Sequence, residues 1–451
     1  MQGRKSASTA GVVFACLMLG GCLGIPGGGS EDLVISDRRA TNEGLGADAA
    51  AFAGASPAAL NSAMEDGTTS AVIEGLLNRV SVIEPGPLRM VADATLAANS
   101  RAAEADLRAA MLRAEARSMN WLPSLGPQVS LTSLGAVVTQ MLVEQVLFDN
   151  GAKRAERDYA RADVEVAAVA LAQDTNTRVL EAMELYISAE AARRRAAVNA
   201  AAMERMAHFA YIMGERVNAG ISNRADLQVV QQKLDQMQSD LTADRAAMAS
   251  ALNELQAMSA APVDQISGLS PIGRPSANAV ALSVLKAQAE SARAVAGARA
   301  ARAGFLPGIT LGGSVGSQGN DLGVNIAAPN GIGLGSGATI AAIEAEEAAA
   351  GARVGQETEA AARAVAALEG RLASLRQQAA EADSLARQAA QNYELFAEQQ
   401  RAGLRQVTDV VGVFETKIRA ERAAVDLRHD IARIEARIAA QLGTLVDGAR
   451  I

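Results

Sequence analysis

The feature that most constrains this chain is a stretch of residues, 152–219, that contains no proline and a single glycine, Gly214. Alanine, the residue with the strongest helix propensity, recurs throughout it. At 1.5 Å per residue, an unbroken helix of this length extends on the order of 100 Å, which globular domains rarely house. The sequence therefore predicts a very long helix that needs other helices along its sides.

Apolar residues in this stretch recur at coiled-coil spacing. Its last third has an apolar seam with steps of three and four residues, at Met203, Met206, Ala210, Met213 and Val217. Farther up, Val179, Met183 and Tyr186 form one apolar face. Leu180 and Ile187 form a second face. Two faces predict a neighbouring helix on each side.

Two prolines mark changes from helix to strand. The sequence from Pro87 to Met119 has the pattern of a helix, and after Pro123 it alternates between apolar and polar residues. The same change recurs at Pro307. Proline cannot continue a helix, and it restricts the preceding residue to extended geometry. We therefore predict β-hairpins at about 127–148 and 308–329.

Two glycines mark the ends of long helices. Gly220 and Gly403 suit the left-handed position that follows a helix C-terminus. After the first of them, Ser222 is expected to cap the next helix. Three pairs of positions recur at an offset of 183 or 184 residues: Pro123 with Pro307, Gly220 with Gly403, and Asp226 with Asp409. A period this long indicates duplication of a domain rather than a short solenoid repeat.

The N-terminus resembles a bacterial lipoprotein signal. Arg4 and Lys5 precede an apolar run that ends at Cys22 and is too short to span a membrane as a stable helix. "LGGC", at 19–22, is similar to a lipobox, which implies cleavage before Cys22 and acylation of that residue, for example with palmitate. Leu23 carries no inner-membrane retention signal by the same rule, which implies the outer membrane. The alternative is an ordinary signal peptide that contains a cysteine.

These features predict a mainly α fold with very long coiled-coil helices and short β-hairpins in two tandem repeats. The expected organisation is a signal peptide at 1–21, a lipidated tether and periplasmic segment at 22–85, a first helix–hairpin–helix repeat at 86–260, a connector at 261–277 and a second repeat at 278–451.

No catalytic constellation is found in the sequence, so no enzyme activity, cofactor or metal site is expected. His208 and His429 lie far apart inside helical segments, and we interpret them as solvated or seam-edge residues. The basic run at 191–195 is interpreted as a solvated helix face, with an anionic partner site as the alternative. The net charge of −8 argues against nucleic acid as a partner.

The order and duplication of the motifs resemble the TolC-like outer-membrane efflux family. Its marks appear as "WLPSL", "QVLFDNG" and "NAGISNRADL" in the first half, and as "FLPGI", "LGSGATI" and "RAGLRQVTDVV" in the second. The second "LFdgG" motif is degenerate, with Gly335 where the family has phenylalanine. The resemblance covers about 86–445. It implies a homotrimer with a 12-stranded β-barrel in the outer membrane and a helical barrel in the periplasm.

The resemblance implies a passive exit duct of a tripartite efflux or type I secretion system. Its partners would be a periplasmic adaptor, an inner-membrane transporter and outer-membrane lipid. The alternative is a lipid-anchored periplasmic coiled-coil scaffold without pore function. The resemblance also implies a periplasmic aperture at the glycine turns, with Asp226, Arg405 and Asp409 as candidates. A local alternative for Asp409 is stabilisation of the helix dipole alone.

The predicted hairpins depart from this pattern in length. Their alternating runs, such as the one at 309–315, comprise about seven residues, whereas a membrane-spanning strand needs about nine to eleven. Aromatic residues make up only 3% of the chain, so an interfacial aromatic girdle is nearly absent. The sequence therefore predicts a stunted barrel.

Overall fold

The structure, a computed structural model, describes residues 70–98, 102–131, 137–276, 278–316, 319–331 and 333–451. The predicted signal peptide, Cys22 and the tether up to residue 69 lie outside the described residues.

Eight α-helices and four β-strands follow one another along the described residues. In chain order they are α1 (Ala71–Leu77), α2 (Pro87–Ala97), α3 (Ala102–Ser118), β1 (Ser124–Leu131), β2 (Val137–Phe148), α4 (Ala152–Asn218), α5 (Arg224–Met258), α6 (Leu282–Ala303), β3 (Gly308–Gly316), β4 (Gly319–Ala327), α7 (Ser336–Arg401) and α8 (Val407–Gln441). The chain ends with a short 3-10 helix, Gly448–Arg450.

The two very long helices of the sequence analysis are confirmed. The first, α4, has 67 residues and the second, α7, has 66. Each is preceded by a helix and a hairpin and followed by a glycine turn and a 35-residue helix, α5 or α8. The order of elements is therefore duplicated, as the offsets of the prolines and glycines predict. None of the described helices is long and apolar enough to cross a membrane.

The helices pack as two coiled coils joined side by side. α4 packs along α5, and α7 packs along α8, so each long helix is covered by the helix that returns from its glycine turn. α4 also packs on α8, which joins the two pairs in the order α5, α4, α8, α7. Closer to the sheet, α3 and α6 pack on α4, and α6 packs on α7.

The predicted coiled-coil seam near the first turn is confirmed. Met206 and Met213 are fully buried, and they join a cluster with Val230 of α5 and Phe414 of α8. The ring of Phe414 packs on Tyr393 of α7 with a centroid distance of 5.0 Å. All four helices therefore share one apolar core close to the glycine turns.

The two apolar faces predicted higher on α4 both pack against neighbouring elements. Val179, Met183, Tyr186 and Ile187 are buried in one cluster, and Leu180 packs against it. This cluster also contains residues of α2, α5, α8 and the connector: Leu88, Val91, Leu255, Ile266 and Ala436. Because these neighbours surround α4 here, a stripe wider than a two-sided seam is buried.

The strands form one antiparallel sheet in the order β1-β2-β3-β4. They contain 8, 12, 9 and 9 residues, so the predicted length of about seven is too short. Alternation underestimates the strands because glycines such as Gly312 and Gly313 interrupt the apolar pattern, whereas the ladder continues through their backbone groups.

Candidate functional site: a two-faced sheet and two glycine turns

The two prolines lie in the short connections between helix and strand, at one end of the sheet, and each helix ends four or five residues before its proline. Pro123 immediately precedes β1, and Pro307 immediately precedes β3. Asn150, just before α4, donates from Nδ2 to the carbonyl oxygen of Pro307 over 2.9 Å. Gln145 of β2 donates from Nε2 to the carbonyl of Trp121 over 2.8 Å. These bonds hold the two helix-to-strand junctions together at the helical end of the sheet.

One face of the sheet is apolar and exposed. The cross-strand register places ten apolar residues on it, together with the polar Thr139, Gln145 and Asn320. The apolar residues are Leu125, Val129, Met141, Val143, Ile309, Leu311, Val315, Leu322, Val324 and Ile326. Leu322 is 74% exposed and Val324 is 62% exposed. An extended apolar patch of this kind is rare on the surface of a soluble monomer and marks a surface for interaction with a membrane or another protein.

The opposite face is mostly polar. The register places Gln128, Gln140, Glu144, Thr310, Ser314, Asp321 and Asn325 on it, together with the apolar Leu142 and Val146 of β2. Gln140 donates from Nε2 to Oε1 of Gln128 over 2.6 Å, which shows that both side chains lie on this face. Glu144 and Asp321 are the only charged residues within the four strand ranges. The sheet therefore has one mainly apolar face and one mostly polar face.

Aromatic residues are present at the helical end of the sheet although the chain has few of them. Trp121 and Phe148 are both exposed there, next to the exposed Leu147. Tryptophan and other aromatic residues favour the interface between membrane and water. Composition did not predict this arrangement because it reports the number of aromatic residues and not their position.

Both glycine turns have the same backbone geometry. Gly220 has φ +72° and Gly403 has φ +75°. In each turn, the N–H of the residue after the glycine bonds to a carbonyl five residues earlier: Ile221 to Arg216 and Leu404 to Gln399, both over 2.8 Å. This pattern is a Schellman motif, which requires the left-handed conformation that glycine adopts at least cost.

The cap of the helix after the first turn differs from the prediction. Asn223, not Ser222, caps α5, because its Oδ1 accepts a hydrogen bond from the backbone N–H of Ala225 over 3.1 Å. Ser222 instead accepts from Nε of Arg216 over 3.1 Å. Ser222 therefore contacts the last turn of α4, and Asn223 is the N-cap of α5.

The three predicted aperture residues lie at the same end of the helices, remote from the sheet. Asp226 is in the first turn of α5 and Asp409 is in the first turn of α8. Arg405 donates from Nε to Oε1 of Gln399 over 3.0 Å, and its guanidinium lies 4.5 Å from the ring centroid of Phe396. Arg405 and Asp409 are both exposed, and they form no ion pair within the chain among the described residues.

A charged network that the sequence did not predict joins three helices above the turns. Asp244 of α5 is only 5% exposed. It accepts from Nε of Arg195 on α4 and from Nη1 of Arg422 on α8, each over 2.8 Å. Arg195 also donates to Asp426 of α8 over 2.6 Å. Burial opposes the charge of Arg195, but the two aspartates outweigh it and raise the pKa of Arg195.

The basic run at 191–195 is a solvated face only in part, because Arg194 is exposed whereas Arg193 and Arg195 are half-buried. Arg193 and Arg194 both bind the carboxylate of Glu190, over 2.8 Å and 2.9 Å, and Glu190 is itself only 1% exposed. Together with Arg195, all three arginines are engaged by carboxylates of the same chain. Buried carboxylates recruit them, since an unpaired charge in the interior is costly.

The two histidines have different environments. His208 is exposed, as the sequence analysis expects of a solvated residue. His429 is only 5% exposed, so a solvated interpretation is wrong for it. Its Nδ1 lies 2.7 Å from the carbonyl oxygen of Val425. Within the part of the chain that the structure describes, no group of three or more metal-binding side chains is found.

Comparison with known proteins identifies the fold. No family model matches the sequence, and no curated protein matches it. A membrane protein from Pseudomonas aeruginosa has a TM-score of 0.71 and 18% identity, over 82% of this chain and 92% of its own. The outer membrane protein VceC from Vibrio cholerae has a TM-score of 0.65 and 17% identity, over 79% and 96%.

The open state of the MtrE outer membrane channel from Neisseria gonorrhoeae has a TM-score of 0.58 and 18% identity, over 85% of this chain and 95% of its own. These likenesses establish that the chain has the fold of TolC-like outer-membrane channels, which its motifs predict.

Proposed function

We propose that the protein is a passive exit duct in the outer membrane, fed by an inner-membrane transporter through a periplasmic adaptor. The duct would serve tripartite efflux or type I secretion. In this proposal the sheet contributes to a β-barrel in the membrane, and the long helices form a tube in the periplasm. The transporter supplies the energy, and the duct contributes only a path.

The observation that carries the proposal is the two-faced sheet. Its apolar face is exposed over all four strands, and its other face carries amide, hydroxyl and carboxylate groups. Strands that alternate between lipid and a water-filled lumen have this pattern. A closed barrel is also the arrangement that leaves no sheet edge unpaired in lipid. The shared fold of known outer-membrane channels supports the same conclusion.

A homotrimer is part of the proposal. The single sheet has four strands, which are too few to close a barrel of useful width, whereas three copies give twelve. The helix α7 buries few of its 66 residues within one chain and exposes Leu385 and Leu395. A neighbouring protomer would cover this helix. The proposal keeps the division into two repeats at 86–260 and 278–451.

A lipid anchor at Cys22 is the second part of the localisation. The lipobox resemblance places an acyl chain there, ahead of a periplasmic body that lies on the helical side of the sheet. We expect Cys22→Ala to release part of the protein from the outer membrane, because the acyl chain adds to the attachment that the barrel provides. Membrane fractionation measures this, and a mutant that stays fully membrane-bound would contradict the role of the anchor.

The alternative function is a lipid-anchored periplasmic scaffold without a pore. The scarcity of aromatic residues in the chain, 3%, is the observation that favours it. Conductance across a planar lipid bilayer separates the two functions. The duct predicts discrete single-channel steps from the detergent-extracted trimer and none from heat-dissociated protein. Repeated insertion without conductance would leave only the scaffold.

A further inference from the structure

An apolar groove with a volume of about 820 Å³ runs between the connector, α7 and α8. Its lining is dominated by aliphatic side chains, including Val280, Val284, Ala361, Val365 and Leu372. Apolar surface that remains in water is unfavourable by about 25 cal/mol per Å². The groove is therefore a surface that a further segment of protein would stabilise by covering it.

The rim of the groove has a cationic side chain that is available for pairing. Arg274 of the connector is exposed and forms no ion pair with a described residue. On the opposite wall, Arg376 is already bound to Glu435 over 2.7 Å. An occupant with apolar side chains and a neighbouring carboxylate would satisfy both the lining and Arg274.

The chain itself approaches one end of this groove. Arg79, two residues beyond α1, donates from Nη2 to the carbonyl oxygen of Val280 over 2.7 Å and from Nη1 to that of Leu442. Val280 and Leu442 both line the groove. The seven residues of α1 extend only about 10 Å, so the chain that precedes Ser70 starts close by. The five residues between Met64 and Ser70 add a reach of up to about 20 Å.

We propose that the segment at 56–66 of the same chain, "SPAALNSAMED", occupies this groove. Leu60 and Met64, four residues apart, supply the apolar contacts. Glu65 and Asp66 follow directly and supply carboxylates for Arg274. Because the segment is tethered beside the groove, its effective concentration is in the millimolar range, which favours it over a separate partner. Its role is to fasten the start of the periplasmic body against the junction between α7 and α8.

A disulfide experiment on the full-length protein tests the occupant. Leu60→Cys combined with Ala362→Cys, on the groove wall, should form a disulfide within one chain under mild oxidation. The matched control is Leu60→Cys with Arg387→Cys, which lies about 38 Å farther along α7. We expect the first pair to cross-link at least about tenfold faster than the control. Each single variant measures the background oxidation of one introduced thiol.

Two outcomes of this experiment overturn the proposal. Equal rates for the two pairs mean that the segment does not lie in the groove. A disulfide between two chains, seen as a band of doubled mass, means that a neighbouring copy supplies the occupant.

Protease protection provides an independent measurement. A protease specific for glutamate should cut after Glu65 about tenfold faster in Val365→Asp than in the wild type, because the charge disfavours the docked segment. Leu112→Asp, exposed on α3 outside the groove, is the control and should cut at the wild-type rate. Circular dichroism confirms that both variants are folded. Unchanged cleavage in folded Val365→Asp contradicts the docking.

Discussion

At the scale of single residues, Asp244 is a buried carboxylate that pairs with arginines from two other helices. Asp244→Asn keeps the shape of the side chain but removes its charge and leaves Arg195 and Arg422 without their shared partner. Breaking a buried ion pair typically costs about 3–5 kcal/mol. We expect the free energy of unfolding to fall by about 3 kcal/mol, which thermal unfolding of the extracted protein measures.

A matched substitution on α8 controls for this effect. Asp430 pairs with Arg433 within the same helix, and its side chain is 44% exposed. Exposed pairs of this kind contribute about 0–1 kcal/mol, so Asp430→Asn should change stability by less than about 0.5 kcal/mol. Similar losses in the two variants would mean that the Asp244 network has no special weight.

Asp447 makes stability depend on acid pH. Burial raises its pKa, but the backbone N–H of Ser81 at 2.7 Å and the guanidinium of Arg89 at 2.6 Å outweigh burial and lower the pKa below its ordinary value. Because its folded-state pKa is lowered, the Asp447 carboxylate stabilises the protein at pH values above its unfolded-state pKa of about 3.9. This stabilisation is lost as the pH falls through the folded-state pKa. Asp447→Asn should therefore lower the free energy of unfolding at pH 7 and make its decrease below about pH 4 less steep, measured by unfolding at several pH values. An unchanged decrease below about pH 4 would contradict this role.

The Asp244 network could not be predicted from sequence spacing. Its partners Arg195 and Arg422 lie 49 and 178 residues away along the chain. Periodicity identifies which face of a helix is apolar, but it does not give the register between helices. For this reason the arginines at 193–195 looked like a solvated face, although each has a carboxylate partner in the folded protein.

At the scale of elements, the two glycine turns can be compared with a glycine inside a helix. Gly220→Ala and Gly403→Ala place a Cβ on a left-handed residue, which should destabilise each turn by about 1 kcal/mol. Gly214→Ala, within α4 and with no other atom within 4 Å of the new Cβ, should stabilise by up to about 1 kcal/mol. Thermal unfolding should therefore show opposite signs. The same sign for all three would refute the requirement for left-handed geometry.

The two faces of β4 offer a test of which one meets lipid. Val324 lies on the apolar face and its neighbour Asn325 lies on the polar face. An arginine on a lipid-facing strand costs about 2–4 kcal/mol near the bilayer centre, whereas an arginine facing water costs little. Val324→Arg should reduce the amount of heat-resistant trimer in outer-membrane fractions, and Asn325→Arg should leave it near the wild-type level. The reverse order would assign the faces the other way round.

Elements were predictable to the extent that their signal is local. The long helices follow from uninterrupted helix-forming residues, and their ends follow from Gly220 and Gly403. The strands were predicted too short because glycines and the two-sided apolar sequence of β2, "VVTQMLVEQVLF", obscure alternation. Backbone hydrogen bonds, which continue through such residues, determine where a strand ends.

At the scale of the whole molecule, the duplicated plan was predictable and the junction between the repeats was not. The offsets of 183 and 184 residues give two copies of one unit. The packing of α4 on α8 joins them, and ion pairs such as Arg437 with Glu184, at 2.5 Å, fix its register. Such contacts depend on the relative position of distant helices, which no local pattern contains.

The proposed aperture belongs to the assembled molecule. Within one chain, Arg405 contacts Gln399 and Phe396 and does not pair with Asp409. In the proposed trimer, three copies of Asp409 would approach one axis at the turns, and like charges at close range are unfavourable unless cations compensate them. An arginine from a neighbouring protomer would supply this compensation in a closed tip, and Arg405 is exposed at the same end. Arg405→Ala with Asp409→Ala should raise single-channel conductance and the uptake of vancomycin, while expression and trimer stability stay near wild type.

The matched control for this last prediction is Glu359→Ala with Arg363→Ala, a similarly exposed pair on α7 far from the turns. It removes the same two kinds of charge without touching the tip, so conductance should not change. Because exposed pairs contribute little to folding, neither double variant should shift the unfolding temperature appreciably. Wild-type conductance in both would assign Asp409 to the helix dipole alone and place the gate elsewhere along the tube.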